Sequence, residues 1–433
     1  MTTANQPSRL YAWYGDDFTG STDVLEALAL HGVSAVLFTH LPEPHELEAF
    51  AGCRAIGIAG ESRSRGPHWM DENLPQVLAF MRSLGAPIHH YKVCSTFDSA
   101  PQVGSIGRAM ELGRATFNSR FVPVVVGAPH LGRAVAFSNL FAAADGVMYR
   151  IDRHPTMSGH PLTPMTEADL RVHLSRQTSL RIGGIHLTTF ASHEAPQRLE
   201  DELRAGADAI VFDGLDDAML EETAQLLWRG TADGPVFAVG SSGLTHGLLH
   251  YWRKIDLLDS APEIPAARPC GRLIVLSGSC SPVSANQIRC AIDRGFTGVF
   301  LSGNPPWPSQ LQRALLELAR GNNVVLYTAL GPQPADPTHG ERFGAALGDL
   351  LRDILAASGV RRVVIAGGDT STRVVAQLDL TALTFAAPLT PGAPLCRGHA
   401  PGSPIDGLEL VLKGGQIGPV NFFPQALGQP PTT

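Results

Sequence analysis

Ten consecutive residues, Tyr14-Gly15-Asp16-Asp17-Phe18-Thr19-Gly20-Ser21-Thr22-Asp23, set two adjacent carboxylates among two glycines and the hydroxyls of Thr19, Ser21 and Thr22. That set suits a small polyhydroxylated ligand. Asp16 or Asp17 can accept a proton from a substrate hydroxyl while Thr19, Ser21 and the loop amides hold the rest. The structural alternative is that Asp16 or Ser21 caps a helix and the glycines make the turn. A single cap, however, does not call for a paired Asp-Asp.

Further polar clusters recur along the chain. Gly60-Glu61-Ser62-Arg63-Ser64-Arg65 carries two arginines on one side of an extended segment, and the planar guanidinium suits a carboxylate or phosphate. Tyr91-Lys92-Val93-Cys94-Ser95-Thr96-Phe97-Asp98-Ser99 combines a cation, an acid and several hydroxyls, with Lys92 placed to bind an anionic group and Asp98 to orient a hydroxyl. The alternative there is a surface Lys92 and Asp98 ion pair of little energetic value. The stretch from Asp152 to Met165 contains three prolines and a glycine and so reads as an ordered loop or lid, covering substrate or meeting another subunit. Its His154 and His160 match no metal-ligand template, and no metal site is expected.

In the second half, Ser277-Gly278-Ser279-Cys280-Ser281-Pro282, Gly367-Gly368-Asp369-Thr370-Ser371 and Lys413-Gly414-Gly415-Gln416-Ile417-Gly418 are small-residue turns able to cradle phosphate through backbone amides. None is a Walker A loop, because no Gly-Lys-Ser/Thr follows.

All of these clusters except the stretch from Asp152 to Met165 sit at the end of a run that reads as a strand, where it gives way to a helix. The runs Leu10 to Trp13, Val33 to Phe38, Ala55 to Ala59, Ile88 to Val93, Phe121 to Val126, Ile182 to Leu187, Ala209 to Asp213 and Val236 to Gly240 alternate with helical patterns, as do Leu273 to Leu276, Thr297 to Leu301, Val324 to Tyr327, Arg362 to Ala366 and Leu408 to Leu412. A helix is expected over Thr166 to Gln177, and Gly32 is the expected stop of the first helix. Such alternation predicts α/β architecture with largely parallel sheets, whose ligands lie at the carboxyl ends of strands. The first helix followed by Val33 to Phe38 predicts a parallel βαβ unit. Proline and small residues over 259–271 read as a linker, dividing an N-terminal domain, 1–258, from a C-terminal one, 272–433.

The chain has 433 residues, 44% hydrophobic and 17% charged, with a net charge of −7. That balance supports substantial cores and opposes a general nucleic-acid-binding role. The polar N-terminus lacks a secretory pattern and no apolar run is long enough to span a bilayer, so a soluble, cytoplasmic protein is expected. The six cysteines are scattered without a C-x-x-C pair, which predicts reduced thiols. Homo-oligomer formation is left open.

Taken together, Gly15-Asp16-Asp17-Phe18-Thr19-Gly20, Lys92 with Cys94-Ser95-Thr96-Phe97-Asp98-Ser99, Gly278-Ser279-Cys280-Ser281 and the glycine turns at 367–371 and 413–418 resemble the four-carbon acid sugar kinase family over nearly the whole chain. The resemblance implies an N-terminal domain for the sugar acid, a C-terminal domain for ATP, and catalysis in the cleft between them. Family substrates include threonate, erythronate and 3-oxo-tetronates, phosphorylated at the terminal hydroxyl, and branched acids such as 3-oxo-isoapionate. By this resemblance Asp16, Asp17, Arg63, Lys92, Asp98 and Ser99 match the acid-sugar side, with Thr19 among the substrate-binding residues. Ser277, Gly278, Ser279, Gly367, Gly368, Asp369, Thr370, Lys413, Gly414, Gly415 and Gly418 match the nucleotide side.

The expected mechanism has Asp17 deprotonating the terminal hydroxyl and Asp16 holding a neighbouring one, an assignment that the residues alone leave interchangeable. Arg63 and Lys92 anchor the carboxylate, the glycine turns hold the phosphates, and Mg²⁺ arrives with the nucleotide near Asp369, with Lys413 stabilising charge on the transferring group. Two departures, Tyr14-Gly15 before the acidic pair and the long loop from His154 to Met165, leave room for a variant acid sugar. A non-catalytic sensor of sugar acid and nucleotide uses the same residues. A dinucleotide-dependent dehydrogenase fits less well, for want of a G-x-G-x-x-G after a first strand.

Overall fold

The computed structural model describes residues 8–144, 146–160, 162–332 and 339–428. Pro161, within the His- and Pro-rich loop, and the N-terminal residues 1–7 therefore lie outside the described residues. The chain divides into two compact units: residues up to 16 with 27–35 and 51–262, and residues 17–26 and 36–50 with 263 onward. Residues 259–271 form neither helix nor strand.

Each unit is α/β, as the alternation of apolar runs and helical patterns predicts. In the first, a parallel sheet runs in the order Ala55–Ala59, Tyr11–Gly15, Ile88–Lys92, Val236–Gly240, Val122–Val125, Ala209–Phe212, Ile182–Ile185. Its strands Tyr11–Gly15, Val236–Gly240 and Val122–Val125 are apolar without alternation because both faces are covered; Tyr11, Trp13 and Phe237 are fully buried. Parallel register aligns the carboxyl ends, with Gly15 opposite both Ala59 and Lys92, and Lys92 opposite Gly240. A small antiparallel sheet, Arg133–Ala136, Asn139–Ala144 and Val147–Arg150, follows the Val122–Val125 strand.

The second unit begins parallel, in the order Thr297–Phe300, Val324–Tyr327, Ile274–Ser277, Arg362–Ala366, Glu409–Lys413. It then continues antiparallel through Ala393–His399 and Ala382–Thr390 to Leu37 and Phe38 of the strand Ala35–Phe38. Leu273, Val275, Val325, Val364, Val411, Phe422 and Phe423 belong to one core here.

Three expectations are corrected. The first strand pairs directly with Ala55–Ala59 rather than with the segment after the first helix, whose Leu37 and Phe38 pair with Leu383 and Ala382. The antiparallel pair at 382–399 was not foreseen; its register shifts between Phe385 and Thr390 break the period-two pattern that would have marked it. The helix expected over Thr166 to Gln177 is confined to Leu170–Ser175. The Asp169 carboxylate caps it at the Arg171 N–H (2.9 Å), while the preceding residues bond to the small sheet, Leu140 N–H donating to Ala168 (2.9 Å).

Candidate active site

Asp17 is the cap of helix Phe18–Leu30: its Oδ1 accepts from the Gly20 N–H at 2.7 Å and its carbonyl accepts from the Ser21 N–H and hydroxyl. The cap is therefore Asp17, and neither Asp16 nor Ser21, the two named in the capping alternative. Gly32, at φ +83°, ends the helix as expected. Asp16, its neighbour, is tied to different partners. Its N–H donates to the Lys92 carbonyl at 2.9 Å, and its carboxylate receives Arg63 Nη2 at 3.1 Å and Nε at 3.3 Å in a fork-to-fork pair. Arg63 comes from the short turn Ser62–Ser64, whose own N–H returns to the Asp16 carbonyl at 3.1 Å.

The residue before the pair is explained by packing. The Tyr14 ring fills the space a Gly60 side chain would take, a Cβ there lying 2.0 Å from the ring, and it stacks on Tyr91 at 5.5 Å, whose hydroxyl is 2.7 Å from that of Ser62. Tyr14-Gly15 is therefore one half of a matched set with Gly60.

Beyond Lys92, whose Nζ donates to the Val93 carbonyl at 2.9 Å, the Cys94–Ser99 loop turns through Phe97 at φ +56°. Asp98 accepts from the Thr96 hydroxyl at 2.5 Å and from that of Thr163 at 3.4 Å. Burial opposes the Asp98 charge, but Arg63, His160 and Thr96 together hold its pKa below the ordinary carboxylate value. Thr163 also bonds His160 Nδ1, at 3.0 Å, so the His- and Pro-rich loop is fastened to the Asp98 side of the site. His154 is buried in that loop, its Nδ1 accepting the N–H groups of Thr156 and Met157. Ser99 is enclosed by His173 Nε2 at 2.8 Å and Gln177 Nε2 at 2.9 Å, and burial pushes His173 down to about 4, leaving it neutral at pH 7. The Ser99 hydroxyl also donates to the Phe97 carbonyl at 3.1 Å.

The second unit brings its glycine turns together with Asp17 and Thr19. A side chain on Gly368 would meet Asp17 Oδ2 at 3.4 Å, one on Gly278 would strike Thr370 Oγ1 at 2.2 Å, and one on Gly415 would strike Ser279 Oγ at 2.8 Å. Gly367, at φ +120°, opens helix Gly368–Val375 and lies against Thr370 and the Ser279 N–H. The Phe18 N–H donates to Thr372 Oγ1 at 3.4 Å, and the buried Thr19 hydroxyl has no protein partner. Asp369 is exposed at the first turn of the same helix. These small residues leave room for a ligand, and backbone amides to grip it, where larger ones would fill the space.

Lys413 is bonded to its own turn. Fully buried, it donates to the Gly414 carbonyl at 2.7 Å and, at 3.4 Å, to the Gly415 carbonyl and the Ser284 hydroxyl, and burial pushes its pKa down to about 7. It shapes the loop from behind. Gln287 does the same farther along, its Nε2 donating to the carbonyls of Ile417, Gly418 and Pro419. Gly418, at φ +88° against the Phe422 ring, is fixed by the same turn. Among the described residues no group of three or more His, Cys, Asp or Glu is arranged to hold a metal ion, and no helix is long and apolar enough to cross a membrane.

With this geometry in view, comparison with known proteins is decisive. A family model described as a sugar-binding N-terminal domain matches residues 11–248, and one described as a nucleotide-binding C-terminal domain matches residues 274–423. The chain belongs to the four-carbon acid sugar kinase family. It is 43% identical to a 3-oxo-isoapionate kinase of Paraburkholderia graminis, covering 97% of this chain and 94% of that protein. It is 32% identical to a 3-oxo-tetronate kinase of Pseudomonas fluorescens, covering 99% of each. A solved structure from Salmonella typhimurium LT2 superposes with a TM-score of 0.75 at 26% identity, over 96% of this chain and 98% of the other. Asp16, Arg63, Lys92 and Asp98 fall within the residues matched by the first model, and the 277–279, 367–370 and 413–418 turns within those matched by the second.

Residues the sequence reading missed are Thr163, His173, Gln177, Ser284, Gln287 and Thr372, all of which act by bonding to a motif residue distant in the chain. His160 lay in the noted loop, but its link to Asp98 through Thr163 leaves no local trace.

Proposed function

We propose that this protein is an ATP-dependent kinase that phosphorylates the terminal hydroxyl of a small acid sugar in the cytoplasm, with the branched acid 3-oxo-isoapionate as its first candidate substrate. The observation that carries the reading is 43% identity, over nearly the full length of both chains, to a 3-oxo-isoapionate kinase. The elaborate His154–Met165 loop, fastened to Asp98 through Thr163, supports a substrate larger than an unbranched tetronate.

In this reading Asp16, paired with Arg63, orients a substrate hydroxyl. Asp17, whose Oδ2 lies beside Gly368, takes the proton of the attacking hydroxyl. The turns at Gly278-Ser279, Gly367-Gly368 and Gly414-Gly415 grip the phosphates through backbone amides, and Lys413 and Gln287 hold the last turn in shape. Asp369, in the first turn of helix Gly368–Val375, would be the carboxylate to hold a Mg²⁺ carried with the nucleotide, which would supply neutralisation of the phosphate charge. Transfer then depends on positioning and charge stabilisation more than on covalent help.

The test is ADP release, coupled to a reporter, with ATP and Mg²⁺ against a panel of 3-oxo-isoapionate, 3-oxo-tetronate, threonate and erythronate. Turnover with the branched acid above the others is expected. ATP binding without turnover on any acid would instead favour a sensor.

A further inference from the structure

One cation of the sugar-binding half has no acidic partner among the described residues. Arg133 opens the strand Arg133–Ala136, and its guanidinium donates only to main-chain carbonyls, those of Leu131 and Gly132. Its Nε is buried with no partner. Two other arginines of the same unit are committed: Arg63 holds Asp16, and Arg65 holds Glu61 at 2.8 Å and lies over the Trp69 ring. A half-buried guanidinium facing only carbonyls is costly to keep unless an anion completes it.

The fold says where that anion lies. Arg133 and Ala128 exchange backbone hydrogen bonds at 2.9 and 3.1 Å, which sets Arg133 just past the carboxyl end of strand Val122–Val125. That strand registers Val125 with Gly240, Gly240 with Lys92, and Lys92 with Gly15. Arg133, Lys92 and Asp16 therefore emerge at one edge of one parallel sheet, the edge at which such sheets take their ligands. Three strand spacings, about 14 Å, separate the first from the last. An extended four-carbon acid and an arginine side chain together cover that gap. Arg133 also feels the charge of Cys94 and acts electrostatically on His154, so it lies between the Lys92–Ser99 motif and the start of the His- and Pro-rich loop.

We propose that Arg133 is the carboxylate anchor of the acid-sugar site, gripping the substrate's carboxylate with its planar guanidinium, and that Arg63 instead orients Asp16. This rests on the acid sugar kinase reading. Arginine is the residue suited to the task, since its fork meets both oxygens of a carboxylate at once.

The test compares R133Q, R133K and R63Q with the unaltered enzyme, using the best acid of the panel and its analogue in which a hydroxymethyl group replaces the carboxylate. R133Q should raise the KM for the acid on the order of 10²-fold, as expected for a lost charge-assisted pair, with kcat and the KM for ATP within a few-fold. It should leave the analogue, already a poor substrate, no worse. R63Q should depress kcat instead. An unchanged KM for the acid in R133Q, or an equal loss on acid and analogue, overturns the assignment. Should R133Q lose its circular dichroism spectrum, R133K decides: it keeps the charge and the carbonyl contacts, and an unchanged KM there overturns the proposal equally. If the unaltered enzyme turns over no acid, the kinase reading fails first, which is a distinct result.

Discussion

Glu26 offers a quantitative prediction about the helix that carries Asp17. The side chain is 5% exposed, and its Oε2 accepts the Gly392 N–H at 2.8 Å in the turn between the antiparallel strands 382–390 and 393–399. Burial, with Asp23 nearby, raises its pKa from 4.5 to about 8, against the opposing pull of the Gly392 bond. The folded protein therefore keeps this proton while the unfolded chain releases it. Stability contributed by a raised pKa is full below 4.5 and is lost as pH climbs to about 8. Over those roughly 3.5 pH units, at about 1.4 kcal/mol each, the loss reaches about 5 kcal/mol. E26Q removes the proton and keeps an oxygen for Gly392. The two compact units need not unfold together, so the quantity to follow is the denaturant transition that the substitution moves. Near pH 4 the two proteins should be about equal. Near pH 9 E26Q should be the more stable by up to about 5 kcal/mol, the groups common to both, such as His173 and Lys413, cancelling in the difference. A difference that stays constant from pH 4 to 9 would refute the argument that Glu26 is buried as a neutral acid.

Three further outcomes follow from the packing. S99A should lower stability by about 1–3 kcal/mol, by stripping His173 Nε2 and Gln177 Nε2 of a shared partner, yet leave the KM for the acid sugar unchanged in steady-state kinetics. G60A should cost about 1–3 kcal/mol in thermal or denaturant unfolding, since a methyl group there meets the Tyr14 ring and hydroxyl, and G60A combined with Y14F should recover only part of it, because the ring carbons remain in the way. K413M should raise the KM for ATP by at least tenfold and leave that for the acid nearly untouched, because the Gly414 and Gly415 carbonyls lose the ammonium that holds them.

What the sequence made legible was chiefly local. Apolar runs marked the parallel strands because both faces of those strands are buried, and the chemistry at their ends stood out because polar residues abruptly replace them. The motifs therefore emerged from order and type alone. Their partners did not. Asp16 meets Arg63 across 47 residues and Ser99 meets His173 across 74, separations that leave no periodic trace. Lys413 read as a phosphate ligand because lysine among glycines usually is one; only its burial against the Gly414 carbonyl shows the charge turned inward. Arg133 went unremarked because nothing in Leu131-Gly132-Arg133 distinguishes it from an ordinary turn. The antiparallel pair at 382–399 was hidden by its irregular register, and the helix at Leu170–Ser175 was overextended because its flanking residues have helical character but bond to a neighbouring strand.

The account turns on a division of labour between adjacent carboxylates, and transfer of labelled phosphate from ATP to 3-oxo-isoapionate tests it most directly. The unaltered protein should form one phosphorylated acid per ADP released. D17N should lose on the order of 10²–10⁴-fold in kcat while still binding ATP, and D16N should also weaken the acid. Full-rate transfer by D17N, or ATP hydrolysis with no phosphate on the acid, would contradict the assignment of Asp17 as the base.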